Sequence, residues 1–91
     1  MDLHKLAAAL TFDTPYSTVT DEQRRKAKAI NYTAAYTTGF SLHVTGEQLE
    51  RVLSRYEIEQ WLQEVGLPHA DTESKAALAG RLAASICRGF A

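Results

Sequence analysis

The apolar and polar positions of this chain fall into blocks of helical period separated by clear turn signals. Residues 3–11 read as a short helix, ended by the turn-rich Asp13-Thr14-Pro15. Thr20 is a good N-cap with Gln23 three residues on, a capping-box spacing, and Asp21 and Glu22 suit the positive end of the helix that follows. That helix is expected to run to about Tyr36 or Thr38, where Gly39 stops it. Thr45 and Gln48 repeat the capping-box spacing and open a third helix, to about Ser54. A fourth is expected near 56–65, ended by Gly66 with Pro68 beyond. A fifth is expected from Asp71 or Thr72 to about Arg88. Phe40-Ser41-Leu42-His43-Val44 alternates apolar and polar and reads as a short strand or, for want of a partner strand, as an extended linker. The fold class predicted is all-α: about five short helices in a single domain spanning residues 1–91, ending in a helical hairpin.

The helix over 20–38 carries the most chemistry. At about 100° per residue Ala27, Ile30 and Ala34 share one face, which should pack, while Arg24, Lys28 and Asn31 share another. Tyr32 and Tyr36 stand at i, i+4 beside the basic face. Cations next to two aromatic rings suit a nucleotide, with phosphate on the cations and base or sugar on the rings. The same pattern also suits a solvated basic face whose tyrosines pack on a neighbouring helix.

Composition narrows the classes. Apolar residues make up 45% and charged residues 23%, a globular balance that argues against overall disorder. No apolar run is long enough to span a membrane, no signal-peptide layout opens the chain, and Cys87 is the single cysteine, so an intramolecular disulfide is excluded and a reducing, cytoplasmic compartment is expected. The net charge is −1, less basic than a typical nucleic-acid binder, but the charge is uneven. Arg24, Arg25, Lys26 and Lys28 cluster in the first half, whereas Glu57, Glu59, Glu64, Asp71 and Glu73 load the second.

The first half resembles a known family. Asp2-Leu3-His4, an Ala-rich helix, Thr20-Asp21-Glu22-Gln23 and then Arg24-Arg25-Lys26-Ala27-Lys28-Ala29-Ile30-Asn31-Tyr32 resemble the fingers segment of family A DNA polymerases. Arg24, Lys28, Tyr32 and Tyr36 fall at that family's Arg, Lys, aromatic and Tyr positions, and Thr33 and Thr37 stand where it has glycines. The resemblance covers roughly residues 2–38 of the chain. It implies that Arg24 and Lys28 face a triphosphate, that Tyr32 stacks on a nucleotide and that Tyr36 lies near a template base. Phosphoryl transfer in that family needs metal-held carboxylates from segments before and after the fingers. A fingers-like segment without them implies a protein that is not an enzyme, with no cofactor and no metal. It also implies a small protein of a phage or mobile element, at work in a bacterial host cell.

The second half resembles a SAP motif. Its residues are Tyr56-Glu57-Ile58-Glu59-Gln60-Trp61-Leu62-Gln63-Glu64-Val65-Gly66-Leu67-Pro68, then Lys75-Ala76-Ala77-Leu78 and Arg81-Leu82. Such modules bind DNA through the loop and the start of the second helix, and the resemblance puts Lys75 and Arg81 at the matching basic positions. His69-Ala70-Asp71-Thr72-Glu73 replaces the family's loop glycine. Read without the resemblance, the segment is a helical hairpin with Ile58, Trp61, Leu62, Leu67, Leu78 and Leu82 as its core.

Other reactive residue types carry less. His4, His43 and His69 have no helical ligand spacing, and Ser41 with His43 has no orienting acid, so neither a metal site nor a hydrolase is expected. Cys87, near Leu82 and Ile86, is expected to be a small buried apolar residue. The function expected is a non-catalytic module that binds nucleic acid, or associates with a nucleic-acid enzyme, through Arg24, Arg25, Lys26, Lys28, Tyr32, Tyr36, Lys75 and Arg81. The alternative is a phage-type interaction protein that inhibits or redirects a host polymerase or defence nuclease. The partner is then DNA or a DNA-processing protein, with no membrane involved.

Overall fold

The computed structural model describes residues 1–38 and 43–87, with the side chains of the second helix as far as Ala29. The elements in chain order are α1 (Leu3–Thr11), a 3-10 turn (Tyr16–Thr18), α2 (Asp21–Thr38), α3 (Gly46–Val52), α4 (Arg55–Glu64) and α5 (Lys75–Cys87). Every regular element among the described residues is helical, as the pattern predicts. Phe40, Ser41 and Leu42 of the alternating stretch lie outside the described residues, and His43 and Val44 lead irregularly into α3.

Side chains close the N-terminal ends of the helices. Asp2 caps α1 by accepting from the Lys5 N–H at 3.0 Å. In α2 the capping box is complete: Gln23 N–H donates to Thr20 Oγ1 at 3.1 Å, and Thr20 N–H to Gln23 Oε1 at 3.0 Å. Thr45 and Gln48 form the same box on α3. A third box, Ser54 with Glu57, opens α4 one residue earlier than periodicity predicts. It also ends α3 at Val52 rather than Ser54, because Leu53 must be extended (φ −112°, ψ 143°) to enter the new cap. Gly66, at φ +75°, ends α4: Leu67 N–H reaches Leu62 C=O at 2.9 Å and Gly66 N–H reaches Gln63 C=O at 3.1 Å, the paired bonds of a left-handed helix stop. Asp13 does the same for α1 at φ 49°, with Thr14 N–H on Ala9 C=O at 3.0 Å.

The core lies between α3, α4 and α5, with α1 closing one side. α4 buries Ile58, Trp61 and Leu62, and α5 buries Leu78, Ala79, Leu82, Ala83 and Ile86, the i, i+3, i+4 stripes of helices packed on one side. Leu49, Val52 and Leu53 meet them from the α3 region, and Leu6 and Ala9 from α1. The hairpin residues read from the sequence are all in this core except Leu67, which is half-buried at its edge. Gly46 rests on Gly80: a Cβ at Gly46 would stand 3.0 Å from both the Cα and the N of Gly80. α2 packs on α1, and buried small residues on both helices, Ala7, Ala8 and Ala27, allow the close approach. The 3-10 turn acts as a strap. Tyr16 sets its ring edge-to-face on Trp61, with centroids 4.9 Å apart and planes at 84°, and Lys5 Nζ lies 4.5 Å from the centre of the same ring.

Two further sequence expectations fail. α5 begins at Lys75, not at Asp71 or Thr72. Ser74 is its cap, taking the Ala77 N–H at 3.1 Å, and the preceding carbonyls are claimed from elsewhere in the fold. Cys87 is exposed rather than buried. Ala83 and Ile86 fill the end of the buried stripe, and the Cys87 thiol turns to the chain entering α3, donating to Val44 C=O at 3.3 Å and accepting from Val44 N–H at 3.5 Å.

Candidate nucleic-acid interface

The basic cluster of α2 divides once the helix is seated on α1. Ala27 faces inward, Gln23 and Arg24 flank it half-buried, and Arg25, Lys26 and Lys28 are exposed. Arg24 is taken by Asp2, whose Oδ2 accepts from Arg24 Nε at 2.8 Å while Oδ1 holds the α1 cap. Partial burial opposes the charge on Asp2, but the Arg24 hydrogen bond and the Lys5 N–H outweigh it and hold the carboxyl below its ordinary 3.8. Lys26 pairs with Glu22 at 3.2 Å, an exposed i, i+4 contact of small energetic weight. Arg25 and Lys28 have no ion-pair partner among the described residues. The α2 backbone stays helical to Thr38, so Tyr32 and Tyr36 sit at helical positions one and two turns past Lys28; their side chains lie outside the described residues.

The cations of the hairpin point elsewhere. Lys75 Nζ donates to the Glu50 carbonyl at 2.8 Å, tying the first turn of α5 to α3. Arg81 donates to the Pro68 carbonyl at 2.7 Å and forms a two-pronged ion pair with the Glu73 carboxylate. Glu73 in turn accepts the Ala70 N–H at 3.0 Å. Arg55, which the motif reading did not single out, completes the arrangement. It pairs with Glu59 at 2.8 Å and donates to the carbonyls of Glu73, Asp71 and Ala70 at 2.7, 3.1 and 3.3 Å. Its i, i+4 spacing with Glu59 was visible in the sequence; its grip on three loop carbonyls was not. Two arginines therefore fix the α4–α5 loop from inside, and His69, Ala70, Asp71 and Thr72 form its exposed tip. The sequence expectation had grouped Lys75 and Arg81 with the α2 cations. Among the described residues no contact joins the two sets, and the hairpin pair serves the loop and α3.

The loop clamp gives a pH test. The Arg81 hydrogen bond and charge hold the Glu73 carboxyl below its ordinary 4.5. A lowered folded value means that the stabilisation is fully present above 4.5 and is lost as pH falls through the folded value. The Ala70 amide, bonded to the carboxylate, should therefore report a titration midpoint below 4.5 in an NMR pH series. A midpoint at or above that value would show that the clamp does not form.

Among the described residues no three His, Cys, Asp or Glu side chains are grouped to hold a metal ion, and no helix is long and apolar enough to cross a membrane. No known family model matches the chain, and no solved structure matches it. What the geometry adds is a sorting of the cations: Arg55, Lys75 and Arg81 serve the fold, Arg24 is shared with Asp2, and Arg25 and Lys28 face solvent.

Proposed function

We propose that this protein is a non-catalytic nucleic-acid-binding module that meets phosphates along the outer side of α2. One observation carries the reading: Arg25 and Lys28 are exposed and without an ion-pair partner among the described residues, on a helix held to the fold by its opposite side. Exposed cations three residues apart lie on neighbouring turns of one helical surface, a spacing that lets both reach one strand's phosphates. Lys26 joins them when it leaves Glu22, since an exposed pair of that kind exchanges readily. The hairpin is then a scaffold, its basic residues committed to carbonyls and to Glu73. Tyr32 and Tyr36 continue the helix beyond the cations, where the polymerase-like pattern sets rings for stacking.

Fluorescence anisotropy with a labelled single-stranded oligothymidylate, repeated with a duplex, tests this. Two or three phosphate contacts predict a log–log salt slope of about −1.4 to −2 on single strands, each contact releasing about 0.7 counterion. Absence of binding to both probes at low salt would overturn the reading. The same protein should show no Mg²⁺-dependent primer extension.

A second reading, a phage-type inhibitor or adaptor gripping a polymerase or defence nuclease, draws on a different feature. Tyr56 on α4 is 69% exposed, a large ring in water beside the acidic Glu57 and Glu59. Large exposed aromatics are enriched at protein interfaces. This reading takes precedence if the nucleic-acid titrations are flat.

A further inference from the structure

Asp2 divides one carboxylate between two tasks. Oδ1 accepts the Lys5 N–H at 3.0 Å and starts α1; Oδ2 accepts Arg24 Nε at 2.8 Å and reaches across to α2. Both side chains are only about two-thirds shielded, at 36% and 35% exposure, so the pair sits in reach of water and salt. An arginine is the side chain best shaped to grip phosphate with two parallel hydrogen bonds. Arg24 adjoins Arg25 in sequence and lies one helical turn before Lys28. Phosphate arriving on Arg25 and Lys28 therefore competes with Asp2 for the Arg24 guanidinium.

We propose that Asp2 is an autoinhibitory anion that withholds Arg24 from the phosphate-binding surface of α2, a role that rests on the nucleic-acid reading above. The fold supplies the competitor close at hand, because the cap bond from Lys5 N–H holds Oδ1 of the same carboxylate that binds Arg24. Phosphate that engages Arg24 meets a guanidinium whose charge Asp2 already partly neutralises and whose Nε–H it already holds, so the parent protein binds more weakly and with a shallower salt slope than its cations allow. Asn caps a helix about as well as Asp, which separates the charge of Asp2 from its cap.

Asp2→Asn tests the inference on the full chain, using the labelled oligothymidylate. Affinity at low salt should rise on the order of two- to fivefold, the range of an exposed ion pair, and the salt slope should steepen by about 0.7. The gain should vanish when Asp2→Asn is combined with Arg24→Ala. Asp71→Asn, an equal change of net charge at the exposed loop tip, should not reproduce it. Melting should stay within a few degrees of the parent; Asp2→Ser, a second uncharged cap, serves if the Asn variant folds poorly. A parent that binds while Asp2→Asn gains nothing overturns it and leaves the α2 reading standing. A gain that persists with Arg24→Ala, or that Asp71→Asn matches, likewise overturns it. If neither parent nor Asp2→Asn binds, both readings fall together.

Discussion

Trp61→Ala should cost about 3–5 kcal/mol of folding free energy, the range for removing a large buried aromatic. Trp61 is 5% exposed and stands at the centre of the α4 stripe between Ile58 and Leu62. Three parts of the chain meet on it or beside it. Gly66 turns Leu67 back over the end of the helix, α5 closes the core, and Tyr16 packs edge-to-face with the indole. The alanine variant therefore loses the contacts of the ring and also the seat of the 3-10 strap, which fixes the path from α1 to α2. A domain of this size has on the order of 5–15 kcal/mol of stability, and each kcal/mol lowers its melting temperature by roughly 4–8 °C. Thermal denaturation followed by circular dichroism should show a fall of more than about 10 °C or no cooperative transition. An unchanged melting temperature would mean that the indole does not lie in the core.

Gly46→Ala should destabilise by about 1–3 kcal/mol, the cost of forcing extra volume into a packed contact. The added methyl meets backbone, not a side chain able to rotate away: the Cα and N of Gly80 lie 3.0 Å from its position. The first turn of α3 would have to lift from α5, loosening Leu49 and Val52 from Leu78 and Leu82. Gly80→Ala makes the contrast, since nothing lies within 4 Å of a Cβ there. Replacing that glycine inside α5 should stabilise by about 0.5–1 kcal/mol through helix propensity. Chemical denaturation of the two variants should move in opposite directions. Equal effects would show that α3 and α5 do not approach at these glycines.

Local signals carried most of the fold. The Thr20–Gln23 and Thr45–Gln48 boxes, Gly66 and the apolar stripes of α4 and α5 each act within a few residues, and each is where the sequence places it. The box at Ser54–Glu57 is equally local but hidden, because the apolar Leu53 lets the helical period run through the break. The late start of α5 depends on Arg55 holding the carbonyls of Ala70, Asp71 and Glu73 from 15 to 18 residues away, a contact that no window around position 71 contains. The same applies to the site. Basic residue type and spacing were legible, but whether a cation faces solvent was not. Arg24 finds its partner 22 residues away and Lys75 finds its carbonyl 25 away, and only the assembled fold separates them from Arg25 and Lys28.

The salt dependence of nucleic-acid binding by Arg25→Ala/Lys28→Ala tests the central claim most directly, with Lys75→Ala/Arg81→Ala beside it. The α2 variant should keep its fold, because exposed substitutions away from caps shift stability by no more than about 0.5 kcal/mol. It should bind the single-stranded probe more weakly, with a salt slope shallower by about 1.4, two lost contacts at about 0.7 each. The hairpin variant should melt earlier, having lost its hold on the Glu50 and Pro68 carbonyls and on Glu73, yet bind with the parent's slope while folded. A parent slope that survives in the α2 variant, or that drops only in the hairpin variant, would contradict the account.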